Sequence, residues 1–187
     1  LQIYFPTYTN QIKLENHKIK IRFSKNKLEI KGAGNLILNN SVDQLTYKII
    51  KKGDQLLFDT SINIKNNPLN INFLDFVKKE NVESNLSFKG IRKKNKDILF
   101  ESISLDENKN QIKLHNLLIN KNLNIMDIES ININYLNSNK ISNQFELKRS
   151  QKQYIIKGKN FDATKIIDRI LDSRKNNLSI FKNFNPK

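Results

Sequence analysis

The chain has 187 residues, with 33 Lys or Arg against 18 Asp or Glu, no Cys and no Trp, a length that fits one domain or one segment of a longer repetitive protein. The absence of Cys excludes a disulfide scaffold, a thiolate zinc site and a cysteine nucleophile, and the hydrophobic content of 37% excludes a wholly disordered chain. The formal net charge of +15 is strongly basic, and the 30 Asn and 27 Ile share A/T-rich codons with Lys, so base composition is one explanation for it.

The chain begins at Leu1 and not at Met, so we expect a piece of a longer protein. Residues 1–10 would end a preceding unit, 11–161 form a β-meander, 163–173 a helix, and 174–187 a tail or the start of a following unit. No apolar run approaches the roughly 20 residues that span a bilayer, and no signal-peptide pattern is present. If the full protein is anchored in a membrane, the anchor is therefore expected outside this segment.

Strict alternation of apolar and polar residues dominates the chain from about residue 19 to residue 158. Ile21 and Phe23, for example, alternate with Lys20 and Arg22. Such alternation predicts strands with one wet and one buried face, which pair in antiparallel sheets. Clusters rich in Asn, Asp, Ser and Lys recur about every 8 to 15 residues, the spacing of hairpin turns; they lie at 24–27, 39–41, 51–54, 93–97 and 106–110. The sequence predicts an all-β meander of about twelve strands.

Three shorter patterns stand out along the meander. An apolar residue followed by Lys and Gly occurs at 30–32, 88–90 and 156–158; related structural units and chance, since Gly often ends strands, both remain open. Residues 73–80 fit either a strand end or a single helical turn. In Gly32-Ala33-Gly34 the third Gly of a dinucleotide fingerprint is missing, so a bulge or bend is predicted there.

One segment near the C-terminus has helical spacing. Asp162 stands at the N-cap position, and Arg174 and Lys175 would complement the dipole at the other end. We expect the helix 163–173 to pack on the sheet through four apolar residues: Ile166, Ile167, Ile170 and Leu171.

No catalytic constellation is visible. His17 and His115 lie far apart, without a neighbouring cluster of carboxylates or a second His at metal-ligand spacing. No Ser stands in a Gly-x-Ser-x-Gly elbow. We therefore expect a protein that is not an enzyme and that uses no metal and no cofactor.

The apolar positions of the strands need a cover. A sandwich, a closed barrel or an open curved sheet filled by lipid would each supply one, and composition does not separate them. The residues predicted to line the apolar face are Ile21, Phe23, Ile30, Leu36, Tyr47, Phe58, Ile64, Phe88, Phe100, Leu114, Ile119, Ile133, Phe145 and Ile156.

Basic clusters fall at predicted turns and element ends: 51–52, 78–79, 92–96, 148–149 and 174–175. They fit phosphate contacts to a nucleic acid, attraction to anionic lipid headgroups, or merely solvated turns. Sheets that bind single-stranded nucleic acid expose aromatic residues on which the bases stack, whereas here Phe and Tyr alternate in phase with Ile and Leu. Nucleic acid is therefore not the expected partner; a basic β-domain that binds nucleic acid or another polyanion, and a structural sandwich without ligand, remain the alternatives.

The segment 154–163, Tyr-Ile-Ile-Lys-Gly-Lys-Asn-Phe-Asp-Ala, with the apolar residues that follow, resembles the end of an AsmA-like domain, in particular the YhdP type related to TamB. There a strand closes with Gly and a Phe-Asp-Ala phrase leads into an apolar helix. The many short alternating strands with small polar turns over 11–173 are also similar to those of that family.

The resemblance implies a non-enzymatic segment of a protein anchored in the inner membrane and reaching across the periplasm. Such proteins form a taco-shaped β-groove along which phospholipid acyl chains move towards the outer membrane. It would make the apolar residues above the groove lining, phospholipids the ligand, and neighbouring repeats of the same chain the structural partners. A chain without Cys is compatible with that compartment.

Overall fold

The computed structural model describes residues 13–38, 41–93, 97–122, 124–151, 153–165, 167–168 and 171. These residues contain thirteen strands: Lys13–Ser24 (β1), Lys27–Leu38 (β2), Ser41–Lys52 (β3), Gln55–Ile64 (β4), Leu69–Ile71 (β5), Phe76–Lys78 (β6), Ser84–Lys93 (β7), Ile98–Glu107 (β8), Asn110–Ile119 (β9), Ile125–Asp127 (β10), Ser130–Leu136 (β11), Ser142–Ser150 (β12) and Gln153–Asn160 (β13). The all-β prediction is confirmed.

Eleven of these strands form one antiparallel sheet that does not close on itself. Its order is β1-β2-β3-β4-β7-β8-β9-β11-β12-β13, with the short β10 paired to β9, so that β1 and β13 are the two edges. Strand order follows chain order apart from β10 and the inserted pair β5–β6, which forms a separate two-stranded sheet. The predicted antiparallel meander is therefore confirmed as well.

The sheet has two chemically distinct faces. Directly opposed residues of antiparallel strands point to the same side, and Ile30, Ile49 and Phe58 follow one another across β2, β3 and β4. Their side, the apolar face, contrasts with the polar face, on which Lys31 is opposed to Lys48.

The pair β5–β6 covers one end of the apolar face. A 3-10 turn, Asn72–Leu74, links its two strands, so the segment whose conformation the sequence left open is a turn followed by a strand. Leu74 and Phe76 are buried against the sheet, and the resulting core cluster consists of Ile64, Leu69, Leu74, Phe76, Leu105, Ile112, Ile133 and Tyr135. We call this covered end of the sheet the hairpin end, and the opposite end, where β3 finishes and β4 begins, the open end.

Two charged side chains hold the loop that leads into β5. Asp43 Oδ1 accepts the backbone N–H groups of Lys65 and Asn66, both at 2.8 Å, and its Oδ2 accepts Asn67 Nδ2 at 2.8 Å. Lys78 is fully buried and its Nζ donates to the carbonyl oxygens of Lys65 (2.9 Å) and Asn67 (2.6 Å). Burial lowers the pKa of Lys78, although nearby carboxylates, first among them Asp43, oppose that shift.

The three repeated glycines share one structural role. Gly32 is directly opposed to Tyr47, Gly90 to Phe58 and Gly158 to Phe145. A Cβ on any of the three glycines would lie within 2.7 Å of that aromatic side chain. The glycines therefore leave room for the aromatic side chain above the strand, an arrangement that stabilises glycine in sheets. Gly34 pairs regularly with β3; the bulge of this region lies opposite it in β1, between Glu15 and Lys18.

The predicted helix over residues 163–173 is not supported. Asp162 does act as a cap, since its Oδ1 accepts the Thr164 N–H at 3.1 Å, and the Ile167 N–H donates to the Ala163 oxygen at 2.9 Å. Ile167 and Leu171, however, are exposed and not buried against the sheet as predicted. Ile166, Ile170 and the tail 174–187 lie outside the described residues.

Candidate functional site

All fourteen residues predicted to line the apolar face lie on that face of the sheet. The register connects them through direct cross-strand pairs, such as Ile21 with Ile30 and Ile133 with Phe145. Bulges in β1 and in the β7–β8 pairing shift the register without moving any of the fourteen to the other side. The alternation in the sequence therefore identifies one continuous surface that runs from edge to edge.

Exposure along the apolar face changes strongly with position. Ile64 and Ile133 lie under the β5–β6 pair and are buried. Towards the edges the cover ends, and Ile21, Phe23 and Ile156 are 63%, 82% and 67% exposed. A surface that leaves large apolar side chains in water at both edges and buries them at one end is typical of a binding site for an apolar partner.

A cluster of three phenylalanines occupies the middle of the apolar face. The ring centroids of Phe58 and Phe100 are 5.4 Å apart, those of Phe58 and Phe88 6.2 Å, and those of Phe88 and Phe100 6.4 Å. Gly90 is directly opposed to Phe58 and to Phe100. The rings are half-buried, so their outer faces are available to a ligand.

Two cations of the apolar face lie at its open end, whereas the polar residues Asp43, Ser84, Glu107 and Asn143 on the same face are buried at the hairpin end. Lys51 is opposed to Leu28 and Leu56, and Leu56 is opposed to Arg92. Both cations are exposed, and their register positions put them on the same side as the phenylalanine cluster. An amphipathic ligand would thus find apolar side chains in the middle of the face and two cations at its open end.

One further polar side chain, His17, lies on the apolar face near the β1 edge. Its Nε2 is 2.9 Å from the Asn35 oxygen, and its ring lies 5.9 Å from that of Tyr47. Its Nδ1 is buried without a hydrogen-bond partner in the part of the chain that the structure describes. His115 is exposed on β9. Within the described residues no three His, Asp or Glu side chains come close enough to bind a metal ion.

The structure distributes the predicted basic clusters over different environments. Lys51 faces the apolar side and Lys52 the polar side, while Lys78 is buried beneath the loop that it anchors. Arg149 pairs with Asp127. Residues 94–96 and 174–175 lie outside the described residues. The described members of the turn clusters therefore do not form one basic site.

Chemically, the apolar face offers contact area and two cations at one end. Transfer of each methylene from water to such a surface contributes about 0.8 kcal/mol. The sequence identified the residues that line the apolar face. It did not predict that the β5–β6 pair covers one end of this face, or that Lys51 and Arg92 lie on it. It also did not predict that aromatic side chains lie over the glycines. The only signal for the last was the repeated apolar-Lys-Gly triplet.

Among the described residues, no helix has the length and hydrophobicity that crossing a bilayer requires. Comparisons of the chain with models of protein families, with curated proteins and with solved structures each found no significant match.

Proposed function

We propose that the apolar face binds the acyl chains of lipids and that the unclosed sheet acts as an open groove for them. One observation supports this most directly: the apolar face runs across ten strands, and among the residues that the structure describes only the β5–β6 pair covers it, at the hairpin end. A structural β-domain of this size would bury such a surface, because each exposed large apolar side chain forgoes about 1.5 to 3 kcal/mol.

The charges on the apolar face favour one orientation of the ligand. The exposed cations Lys51 and Arg92 at the open end would bind the phosphate of a phospholipid, since charge-assisted contacts to phosphate are the strong ones. The acyl chains would then lie over Phe58, Phe88 and Phe100 and point towards the β5–β6 pair. Between Leu56 and Ile64 the strand extends about 26 Å at 3.3 Å per residue, enough length for an extended chain.

In physiological terms, we propose a non-enzymatic segment of an AsmA/YhdP-like lipid transport protein, anchored to the inner membrane by a part of the protein outside this segment and acting in the periplasm. The unclosed antiparallel sheet and the apolar face that runs from edge to edge support this assignment, together with the resemblance of residues 154–163 to the end of an AsmA-like domain. Phospholipids would be the ligand and neighbouring repeats the structural partners.

The test is capture of a phospholipid that carries a photoactivatable group in its acyl chain, followed by native mass spectrometry. The double substitution Phe88→Asp and Phe100→Asp should abolish crosslinking, because it puts charge where the acyl chains are proposed to lie, on two half-buried positions outside the core cluster. Circular dichroism of this variant should match that of wild type. A matched control places the same two carboxylates on the polar face, Asn63→Asp and Asn132→Asp, where both Asn side chains are exposed.

Equal crosslinking of the two double variants, or no crosslinking of the wild-type chain, would contradict the proposal. A second pair of substitutions, Lys51→Gln and Arg92→Gln, tests the orientation. It should weaken the binding of phospholipid while leaving the binding of an uncharged diacylglycerol unchanged.

A further inference from the structure

The polar face has an ordered pattern of its own at the open end. One row of directly opposed residues crosses five strands and is apolar, namely Ile50, Leu57, Ile91, Leu99 and Leu118. The apolar row, as we call these five residues, lies on the opposite side of the sheet from the phenylalanine cluster. All five side chains are half-buried.

Cations flank the apolar row on both sides. The neighbouring row towards the hairpin end contains Lys20, Lys31, Lys48 and Lys89, with Asp59 among them. The neighbouring row at the open end contains Lys27, Lys52 and Lys93. Arg22 and Glu29 continue the apolar row itself towards the β1 edge.

Several of these cations oppose one another directly, and the carboxylates among them compensate only part of their charge. Lys20 is opposed to Lys31, and Lys31 to Lys48. Glu29 pairs with Lys27 at 3.0 Å and with Lys31 at 3.4 Å, and Lys89 pairs with Glu101 at 3.2 Å. Within the residues that the structure describes, Lys20, Lys48 and Lys52 have no ion pair. Like charges directly opposed across strands are destabilising, so this arrangement costs stability unless an anionic partner offsets it.

The chemistry of the rows selects the kind of partner. Proteins that bind single-stranded nucleic acid combine a basic groove with aromatic side chains on which the bases stack. Every aromatic residue that the described strands of the main sheet contain lies on the other, apolar face: Phe23, Tyr47, Phe58, Phe88, Phe100, Tyr135, Phe145 and Tyr154. An apolar line between two lines of lysines instead matches a bilayer interface, where aliphatic side chains enter the headgroup region and lysines reach anionic phosphates.

We propose that the polar face of β1–β4 and β7–β9 at the open end docks onto an anionic lipid bilayer. Lys20, Lys31, Lys48 and Lys52 contact the headgroups, and the apolar row contacts the upper acyl region. This docking is independent of what the apolar face binds, because the two surfaces lie on opposite sides of the sheet.

The experiment is co-sedimentation of the full chain with phosphatidylcholine vesicles that contain or lack phosphatidylglycerol. Binding should require phosphatidylglycerol and disappear at high salt, where surface charges are screened. The triple variant Lys20→Gln, Lys48→Gln and Lys52→Gln should bind about a hundredfold more weakly, since each Lys contributes about a factor of five. The matched control removes three exposed lysines at the hairpin end: Lys79→Gln, Lys109→Gln and Lys140→Gln.

Unchanged binding of the triple variant, an equal loss in the control, or equal binding to neutral vesicles would overturn the proposal. So would salt-sensitive binding to a DNA duplex without binding to vesicles. A second readout uses the absence of Trp from the chain. Leu57→Trp, on the apolar row, should shift its fluorescence to the blue when anionic vesicles are added, and the absence of that shift would also contradict docking. Leu56→Trp, its neighbour on the apolar face, reports separately on acyl-chain binding there.

Discussion

Gly90 and Phe58 are directly opposed on neighbouring strands, and the edge of the Phe58 ring occupies the space where a side chain of residue 90 would begin. A Cβ at Gly90 would lie 2.7 Å from Phe58 Cζ and 2.3 Å from the backbone oxygen of Leu99. Because the second contact is with backbone, it cannot be relieved by a side-chain rotation. The glycine therefore fixes how closely β4, β7 and β8 approach.

We predict that Gly90→Ala lowers the free energy of unfolding by about 1 to 3 kcal/mol, the usual cost of overpacking. Urea denaturation followed by circular dichroism measures the change. Ser87→Ala, on the same strand but on the polar face, is the control and should stay within about 0.5 kcal/mol of wild type. If the two variants were equally stable, the close approach at Gly90 would not constrain the sheet.

Tyr135 fastens the covering pair to the sheet, because its hydroxyl donates to the Leu74 oxygen while its ring packs edge-on against Phe76, with centroids 5.5 Å apart. Tyr135→Phe keeps the ring contact and removes the hydrogen bond. We expect a loss of about 1 kcal/mol and faster amide hydrogen exchange in residues 69–78, measured by mass spectrometry. Tyr47→Phe is the control, since the Tyr47 hydroxyl makes no hydrogen bond within the described residues. Unaltered exchange in Tyr135→Phe would show that the hydroxyl does not hold the cover.

Because Tyr135 is buried, we predict that the stability of the protein falls at alkaline pH. Burial raises the pKa of Tyr135 above its ordinary value of 10.0. Above pH 10 the unfolded chain therefore releases this proton while the folded chain retains it, and stability falls as the pH rises. Between neutral pH and pH 11, we expect the free energy of unfolding of wild type to fall by about 1.4 kcal/mol more than that of Tyr135→Phe. Parallel stability curves for the two proteins across this range would refute the prediction.

Asp43 organises the loop that precedes β5, because both of its carboxylate oxygens accept hydrogen bonds from N–H groups of that loop. In Asp43→Asn one oxygen becomes an NH₂ group, which would face the Asn67 side-chain amide or the backbone N–H groups of Lys65 and Asn66. We expect a cost of about 1 to 3 kcal/mol, the usual penalty for unpaired buried donors, and faster proteolysis within 65–78. Asp54→Asn removes the same charge at an exposed turn. A variant at position 43 as resistant as that control would exclude the anchoring role.

The sheet could be predicted well because the signals that specify it lie within each strand and each turn. Alternation marks each strand, and turn residues such as Gly53 and Asn108, both with positive φ, mark the hairpins. The predicted apolar residues stay on one face despite the bulges. At each bulge two residues of one strand oppose a single residue of its neighbour, and the alternation continues on both sides of the bulge. An antiparallel meander needs little more than these two signals.

The covering pair could not be predicted in the same way. Its position depends on Lys78, Asp43 and Asn67, polar residues that are buried only because they satisfy one another. In a sequence such residues are typical of turns and surfaces. The predicted C-terminal helix lacks support for a related reason: four apolar residues at helical spacing do not establish a helix that packs on the sheet, and of these four Ile167 and Leu171 are exposed.

The agreement between strand order and chain order has a kinetic consequence. Almost every pairing joins strands that are consecutive in the chain, so no long loop must close before the next strand can add, and the sheet can grow one hairpin at a time from any starting turn. Stability is then close to a sum over neighbouring strand pairs, as in linear repeat proteins. A substitution that weakens β7 should uncouple the two halves of the sheet instead of unfolding both, and hydrogen exchange would resolve them as separate cooperative units.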